Sequence, residues 1–237
     1  MCGLRPIGTI AFEFYNGKIV HKCFLLYHTK CAKCAKCVDK MNALRYNDCV
    51  KTYCEALMNS FYTVNIDGRE TDLPIMKLPS GIGICFFNLH GNQSLTEHCG
   101  KAIAKRIPDC DVIITAESKG LQLGHVVARE LGHEFYAVCR KSKKLYMQDG
   151  LQTSVQSITT GEVQTLYLSK HDADLLKGKR VAIVDDVVST GGSLKGIEEI
   201  VRLAGGNVVY KAFVLAEGDA KDREDIIYLA SIPIVNF

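Results

Sequence analysis

The sequence predicts an α/β protein built on a doubly wound, mainly parallel sheet and preceded by a cysteine-rich segment. Three observations carry this. Short apolar runs at Asp111–Thr115, Phe135–Cys139, Val181–Val184 and Val208–Leu215 read as buried strands. Stretches of helical spacing separate them, with Ala102, Ile103 and Ile107 on one apolar face and Leu194, Ile197, Ile200, Val201 and Ala204 on another. Polar turns with glycine stand where strands give way to helices, which is where such a sheet collects its ligands.

At 237 residues the chain is long enough to bury a core without covalent staples. A net charge of +3 is too small to argue for nucleic acid by itself. Residues 1–20 carry Arg5, Glu13, Asn16 and Lys18 among their apolar positions and do not read as a secretory leader. No apolar run approaches membrane length, so the expected compartment is the cytoplasm and no membrane contact is expected. In the cytosol, eleven cysteines point to metal or redox chemistry before disulfides.

Residues 1–60 read as a separate Cys-rich segment, with residues 61–237 as the α/β domain. Ile7–Phe14, Gly17 and Ile19-Val20 suit a hairpin, and Cys23, Cys31, Cys34, Cys37, Cys49 and Cys54 follow. Cys31, Cys34 and Cys37 form C-x-x-C-x-x-C; with Cys49 and Cys54, and His21 and His28 nearby, they offer more ligands than a tetrahedral Zn2+ needs. Met41 and Asn42 stand where a bacterial ferredoxin would continue with cysteine and proline, which weakens the iron–sulfur reading. The same spacing lines one helix face, where free thiols act as small hydrophobes, and it also suits a redox switch. Spacing alone does not choose. Lys30, Lys33, Lys36 and Lys40 suit a solvated face and leave nucleic acid open for this segment alone.

From residue 61 the pattern is regular. Phe61–Ile66 reads as a strand ending at the turn dipeptide Asp67-Gly68, with Ile75–Leu78 expected to pair with it. Ser94-Leu95-Thr96-Glu97 has the form of a capping box opening a helix to about Arg106. The strand at 111–115 delivers Ala116-Glu117-Ser118-Lys119-Gly120 to a turn, and a helix over Leu121–Leu131 follows. The run Phe135–Cys139 empties into Arg140-Lys141-Ser142-Lys143-Lys144, usable as an anion clamp. Leu145 to about Lys170 suits a polar loop around Gly161 and a hairpin in which Val163, Leu166 and Leu168 mark a strand.

The most informative stretch is Arg180–Ser193. Val181–Val184 is a central strand, and the adjacent carboxylates of Asp185 and Asp186 stand where it is expected to end. Val188, Ser189, Thr190, Gly191, Gly192 and Ser193 then form a turn into a helix, whose free backbone N–H groups and dipole favour a phosphate. Neither common nucleotide signature is present: Ile197 replaces the lysine of a Walker loop, and Gly81-Ile82-Gly83 has no third glycine at Phe86.

Strand, acidic pair and T-G-G-S turn together resemble the phosphoribosyl-pyrophosphate (PRPP) motif of type I phosphoribosyltransferases, and Glu117–Gly120 with Arg140-Lys141 resemble the purine branch, adenine and xanthine phosphoribosyltransferases included. The resemblance implies the type I fold with a small hood, a homodimer, Mg2+ carried with PRPP, and transfer to a purine base with release of pyrophosphate. It implies Asp185 and Asp186 as catalytic residues, Val188–Ser193 as the 5-phosphate cradle, and Glu117, Ser118, Lys119, Gly120, Arg140, Lys141 and Lys144 at the pyrophosphate. Some 6-oxopurine enzymes place a lysine near the end of the strand at Val208–Leu215; this chain has Glu217-Gly218-Asp219, which puts guanine or xanthine in doubt without establishing adenine. A purine-repressor-like regulator that senses PRPP without transfer is the competing expectation, because such proteins also add an N-terminal domain.

Overall fold

The computed structural model describes residues 61–78, 80–156 and 163–236. The cysteines Cys31, Cys34, Cys37, Cys49 and Cys54, and the loop residues around Gly161, lie outside them.

Two strands open the described chain, β1 (Phe61–Ile66) and β2 (Arg69–Lys77). They meet through a two-residue turn in which Asp67 and Gly68 both take positive φ, the backbone that a tight hairpin requires. Pairing therefore starts at once, Ile66 with Arg69 and Phe61 with Pro74. Ile75–Leu78 does not pair with β1 as expected from the sequence; Ile75–Lys77 pairs instead with β3 (Ile82–Cys85). The C-terminal strand β11 (Ile234–Asn236) adds to β3, closing a four-stranded antiparallel sheet in the order β1-β2-β3-β11.

The main sheet is parallel throughout, in the order β10-β9-β8-β4-β5. Its strands are β4 (Val112–Ala116), β5 (Ala137–Cys139), β8 (Arg180–Val188), β9 (Asn207–Glu217) and β10 (Ile227–Ile232). Alternate residues of each central strand enter opposite cores, as the pleat dictates. Ile113, Ala182, Val184, Ala212 and Val214 face the side covered by α1 (Gln93–Ala104), α2 (Gly120–Glu130) and the small sheet. Val112, Ile114, Val181, Ile183 and Phe213 face the side covered by α3 (Lys170–Leu176), α4 (Gly192–Leu203) and the hairpin of β6 (Leu151–Gln156) and β7 (Val163–Leu168). Both faces are buried, which explains the near-continuous apolar runs.

The N-cap of α1 lies two residues before Ser94, which opens the capping box read from sequence. Asn92 is its N-cap, its side chain accepting from Leu95 N–H, while Ser94 Oγ accepts from Arg69. A five-residue 3-10 turn, Gly218–Asp222, links β9 to β10. Among the described residues no helix is long and apolar enough to cross a membrane.

Candidate active site

Strand order reverses between β4 and β8: the chain leaves β4 for β5 on one side and β8 for β9 on the other. That is the position at which an open parallel sheet parts to admit a ligand. The ladder shows the parting directly. β8 pairs with β4 only through Ile183, opposite Ile114, yet continues along β9 as far as Val188, opposite Ala216. Asp185 and Asp186 thus lie inside β8, not at its end as the sequence suggested, on the stretch that has let go of β4.

The start of α2 is wedged against this opening. A Cβ on Gly120 would lie 2.1 Å from Thr115 Oγ1 and 2.6 Å from Asp185 Oδ1, so only glycine allows the helix this close. Thr115 Oγ1 and Asp186 Oδ2 are both buried and, among the described residues, have no hydrogen-bond partner. Asp185 Oδ1 accepts from Asp186 N–H at 3.0 Å. Burial, then the neighbouring Asp186 charge, raise the Asp185 pKa; burial raises that of Asp186, against the pull of Lys119, whose Nζ is 3.7 Å from its Oδ2. The pair therefore holds a proton well above the usual carboxylate range.

Cationic groups converge on the turn after β4. Glu117 accepts from Arg140 Nη1 at 3.0 Å and from Lys141 N–H at 2.9 Å, joining the ends of β4 and β5. Arg140 is further fixed by backbone hydrogen bonds to Tyr167 in both directions. Lys119 Nζ donates to Phe87 O at 3.2 Å and lies 5.1 Å from the centre of the Phe86 ring, reaching from the turn to the segment that follows the small sheet. Ser118 Oγ approaches His90 Nε2 at 3.4 Å in the same direction. Lys144 is not drawn in: it donates to Ser142 Oγ within its own loop, and among the described residues no hydrogen bond or ion pair joins it to the 117–120 turn.

The helix starts differ in a way that bears on anions. α1 and α3 are capped by the side chains of Asn92 and Ser169. α2 and α4, which begin at the opening, have no side-chain cap and no acidic residue in the first turn, leaving their positive dipole ends for a ligand, although in α2 the Leu121 N–H already donates to Ser118 O at 3.4 Å. Gly191, the N-cap of α4, has φ 78°, a left-handed turn natural to glycine. Val188 is buried beneath this loop, while Thr190 and Ser193 are exposed on it and Ser189 and Gly192 are half-buried.

The structure thus brings Asp185, Asp186, Glu117–Gly120, Arg140 and Lys141 to one opening and sets Val188–Ser193 at the end of the same strand. Sequence reading missed Thr115, which looked like an ordinary strand residue, and Arg223, whose guanidinium stands over Gly191 from the far side of the chain. No local signal marks either one.

The family described as phosphoribosyl transferase domain matches residues 88–235. Adenine phosphoribosyltransferase of Desulfosudis oleivorans is 35% identical over 116 residues, covering 49% of this chain and 64% of the relative, so the chain spans just under two thirds of that protein. Xanthine phosphoribosyltransferase of Exiguobacterium sp. is 29% identical over 164 residues, 68% of this chain and 81% of the relative. In three dimensions the chain is similar to the crystal structure of adenine phosphoribosyltransferase from Thermoanaerobacter pseudethanolicus, with TM-score 0.55 and 23% identity over 75% of this chain and 99% of that one; this is a likeness of fold.

Proposed function

Because the chain belongs to the phosphoribosyl transferase domain family, we propose that it transfers the ribosyl 5-phosphate group of PRPP to a purine base and releases pyrophosphate. The observation that carries this reading is the acidic pair placed where β8 parts from β4, with an uncapped helix start on either side of it. Relatives whose names specify adenine or xanthine support a purine as acceptor.

In this reading the 5-phosphate rests on the Val188–Ser193 turn, where free N–H groups and the α4 dipole offset its charge. The ribose hydroxyls meet Asp185 and Asp186, which together supply acceptors and a shared proton. Pyrophosphate lies against Ser118–Gly120, Arg140 and Lys141, with Glu117 holding the latter two in place. Lys144 keeps the role expected of it only if its loop moves in. As the bond from ribose C1 to the pyrophosphate oxygen breaks, positive charge gathers on the ring; the carboxylates stabilise it while the cations stabilise the leaving group. A ring nitrogen of the base forms the new bond and loses its proton, for which Asp186 is a candidate acceptor.

The family's Mg2+ fits these residues in one way. Among the described residues no group of three or more His, Cys, Asp or Glu is close enough to hold a metal. Two adjacent carboxylates, one with an orphaned buried oxygen, suit an ion that brings most of its ligands on the substrate's phosphates. Asp185 and Asp186 would hold it, and it would supply charge neutralisation of the diphosphate.

The decisive experiment is pyrophosphate release from PRPP with adenine, guanine, hypoxanthine, xanthine and orotate in turn. Turnover on a purine is expected; PRPP binding without release on any base would leave a sensor and sink the transferase. Light scattering tests the homodimer and cell fractionation the cytoplasmic placement. Metal analysis of anaerobically purified full chain tests Zn2+ at Cys31, Cys34, Cys37, Cys49 and Cys54.

A further inference from the structure

We propose that Arg223 is a binding residue for the phosphate held on the Ser189–Ser193 turn, its guanidinium completing a cradle that the motif itself leaves without a side-chain cation. The inference rests on the reading that this turn takes the 5-phosphate of PRPP.

Arg223 follows the 3-10 turn after β9, and topology returns it to this place because β9 lies beside β8 in the sheet. Its fork is divided. Nε and Nη2 donate to the two oxygens of Asp225 at 2.9 and 2.7 Å, a bidentate grip. Asp225 is held in turn by Lys211 at 2.8 Å, and Lys211 also pairs with Glu198 of α4. One edge of the guanidinium is therefore fixed to the framework. The remaining nitrogen, Nη1, faces Gly191: a Cβ there would lie 2.6 Å from it. The side chain is 29% exposed, so its charge is partly shielded from bulk solvent.

The planar fork of arginine makes this division possible, since it presents donors on two edges at fixed angles. Lysine in its place would satisfy Asp225 or a phosphate, not both. Gly191 serves two demands at once: it takes positive φ and it leaves the guanidinium room to stand against the turn. A purely structural role, tying the loop after β9 to α4, needs the Asp225 grip but gives no reason for Nη1 to face the anion turn.

Calorimetric titration of the full chain with ribose 5-phosphate, and separately with pyrophosphate, separates the two roles. Arg223→Gln is expected to weaken ribose 5-phosphate by about tenfold or more, with pyrophosphate unchanged within about twofold and Arg223→Lys intermediate. Arg202→Gln, which removes the same charge from the far end of α4, should leave both affinities as they were. Unchanged ribose 5-phosphate affinity in a folded Arg223→Gln, or equal weakening of both ligands, overturns the inference. If Arg223→Gln fails to fold, Arg223→Lys carries the same comparison. Wild-type chain that binds neither ribose 5-phosphate nor PRPP overturns the underlying reading, and this inference falls with it.

Discussion

Gly120 and Asp185 touch across the opening between β4 and β8: a Cβ at Gly120 would stand 2.6 Å from the Asp185 carboxylate and nearer still to Thr115 Oγ1. The start of α2, which has no side-chain cap, is thereby held beside the acidic pair. Gly120→Ala should force the helix outward, costing about 1–3 kcal/mol as an overpacked core position does. Denaturant unfolding reads the stability loss, and turnover should fall by more than tenfold if the spacing of α2 from β8 matters to catalysis. An unaffected, equally stable alanine variant would mean that the contact is slack.

Asp185 stores an opposition between stability and function. The unfolded chain gives up this proton near pH 3.8, whereas burial and the Asp186 charge keep it on the folded protein to about pH 7. The folded state binds more protons across that window, so its stability falls as pH rises through it and levels off above. Asp185→Asn removes the titration. In EDTA, its melting temperature should match wild type near pH 4 and exceed it near pH 8, while turnover is lost. Parallel melting curves for the two proteins across this range would show that the carboxyl is not desolvated in the fold.

The sheet was legible because its strands are buried on both faces and so read as apolar runs; the acidic pair and the glycine turns were legible because charge and conformational freedom are costly there without a purpose. What sequence could not show were outcomes of tertiary competition. β8 runs past Asp185 and Asp186 because β9 still pairs with it there, although β4 has departed. Asn92 prevails over Ser94 as the α1 cap because Arg69 donates to the serine hydroxyl. Ile75 leaves β1 because the Asp67-Gly68 turn sets the register so that Pro74 already reaches Phe61. Arg223 comes to Gly191 only through the order of strands, which no local pattern encodes.

Asp186→Asn should lower turnover by more than tenfold with the fold intact, because it takes negative charge from the side of the ribose where positive charge develops. Its PRPP affinity should change far less than its turnover, since the amide still bonds to hydroxyls. Circular dichroism confirms the fold and steady-state kinetics separate the two effects. Equal loss in affinity and turnover would make Asp186 a ground-state binding residue.

Lys119 gives the acidic pair its nearest positive charge, 3.7 Å from Asp186 Oδ2, and that charge lowers the Asp186 pKa against the rise caused by burial. Lys119→Gln removes the opposing influence, so Asp186 should hold its proton to higher pH. The acidic limb of the turnover profile, where loss of the ionised carboxylate limits the rate, should therefore shift toward neutral pH. Reduced pyrophosphate affinity would lower the whole profile but would not move that limb, which keeps the two contributions of Lys119 apart. Substituting arginine should restore the limb, because a cation returns to the same side of Asp186. A limb that stays in place in Lys119→Gln would show that Lys119 acts on the leaving group alone.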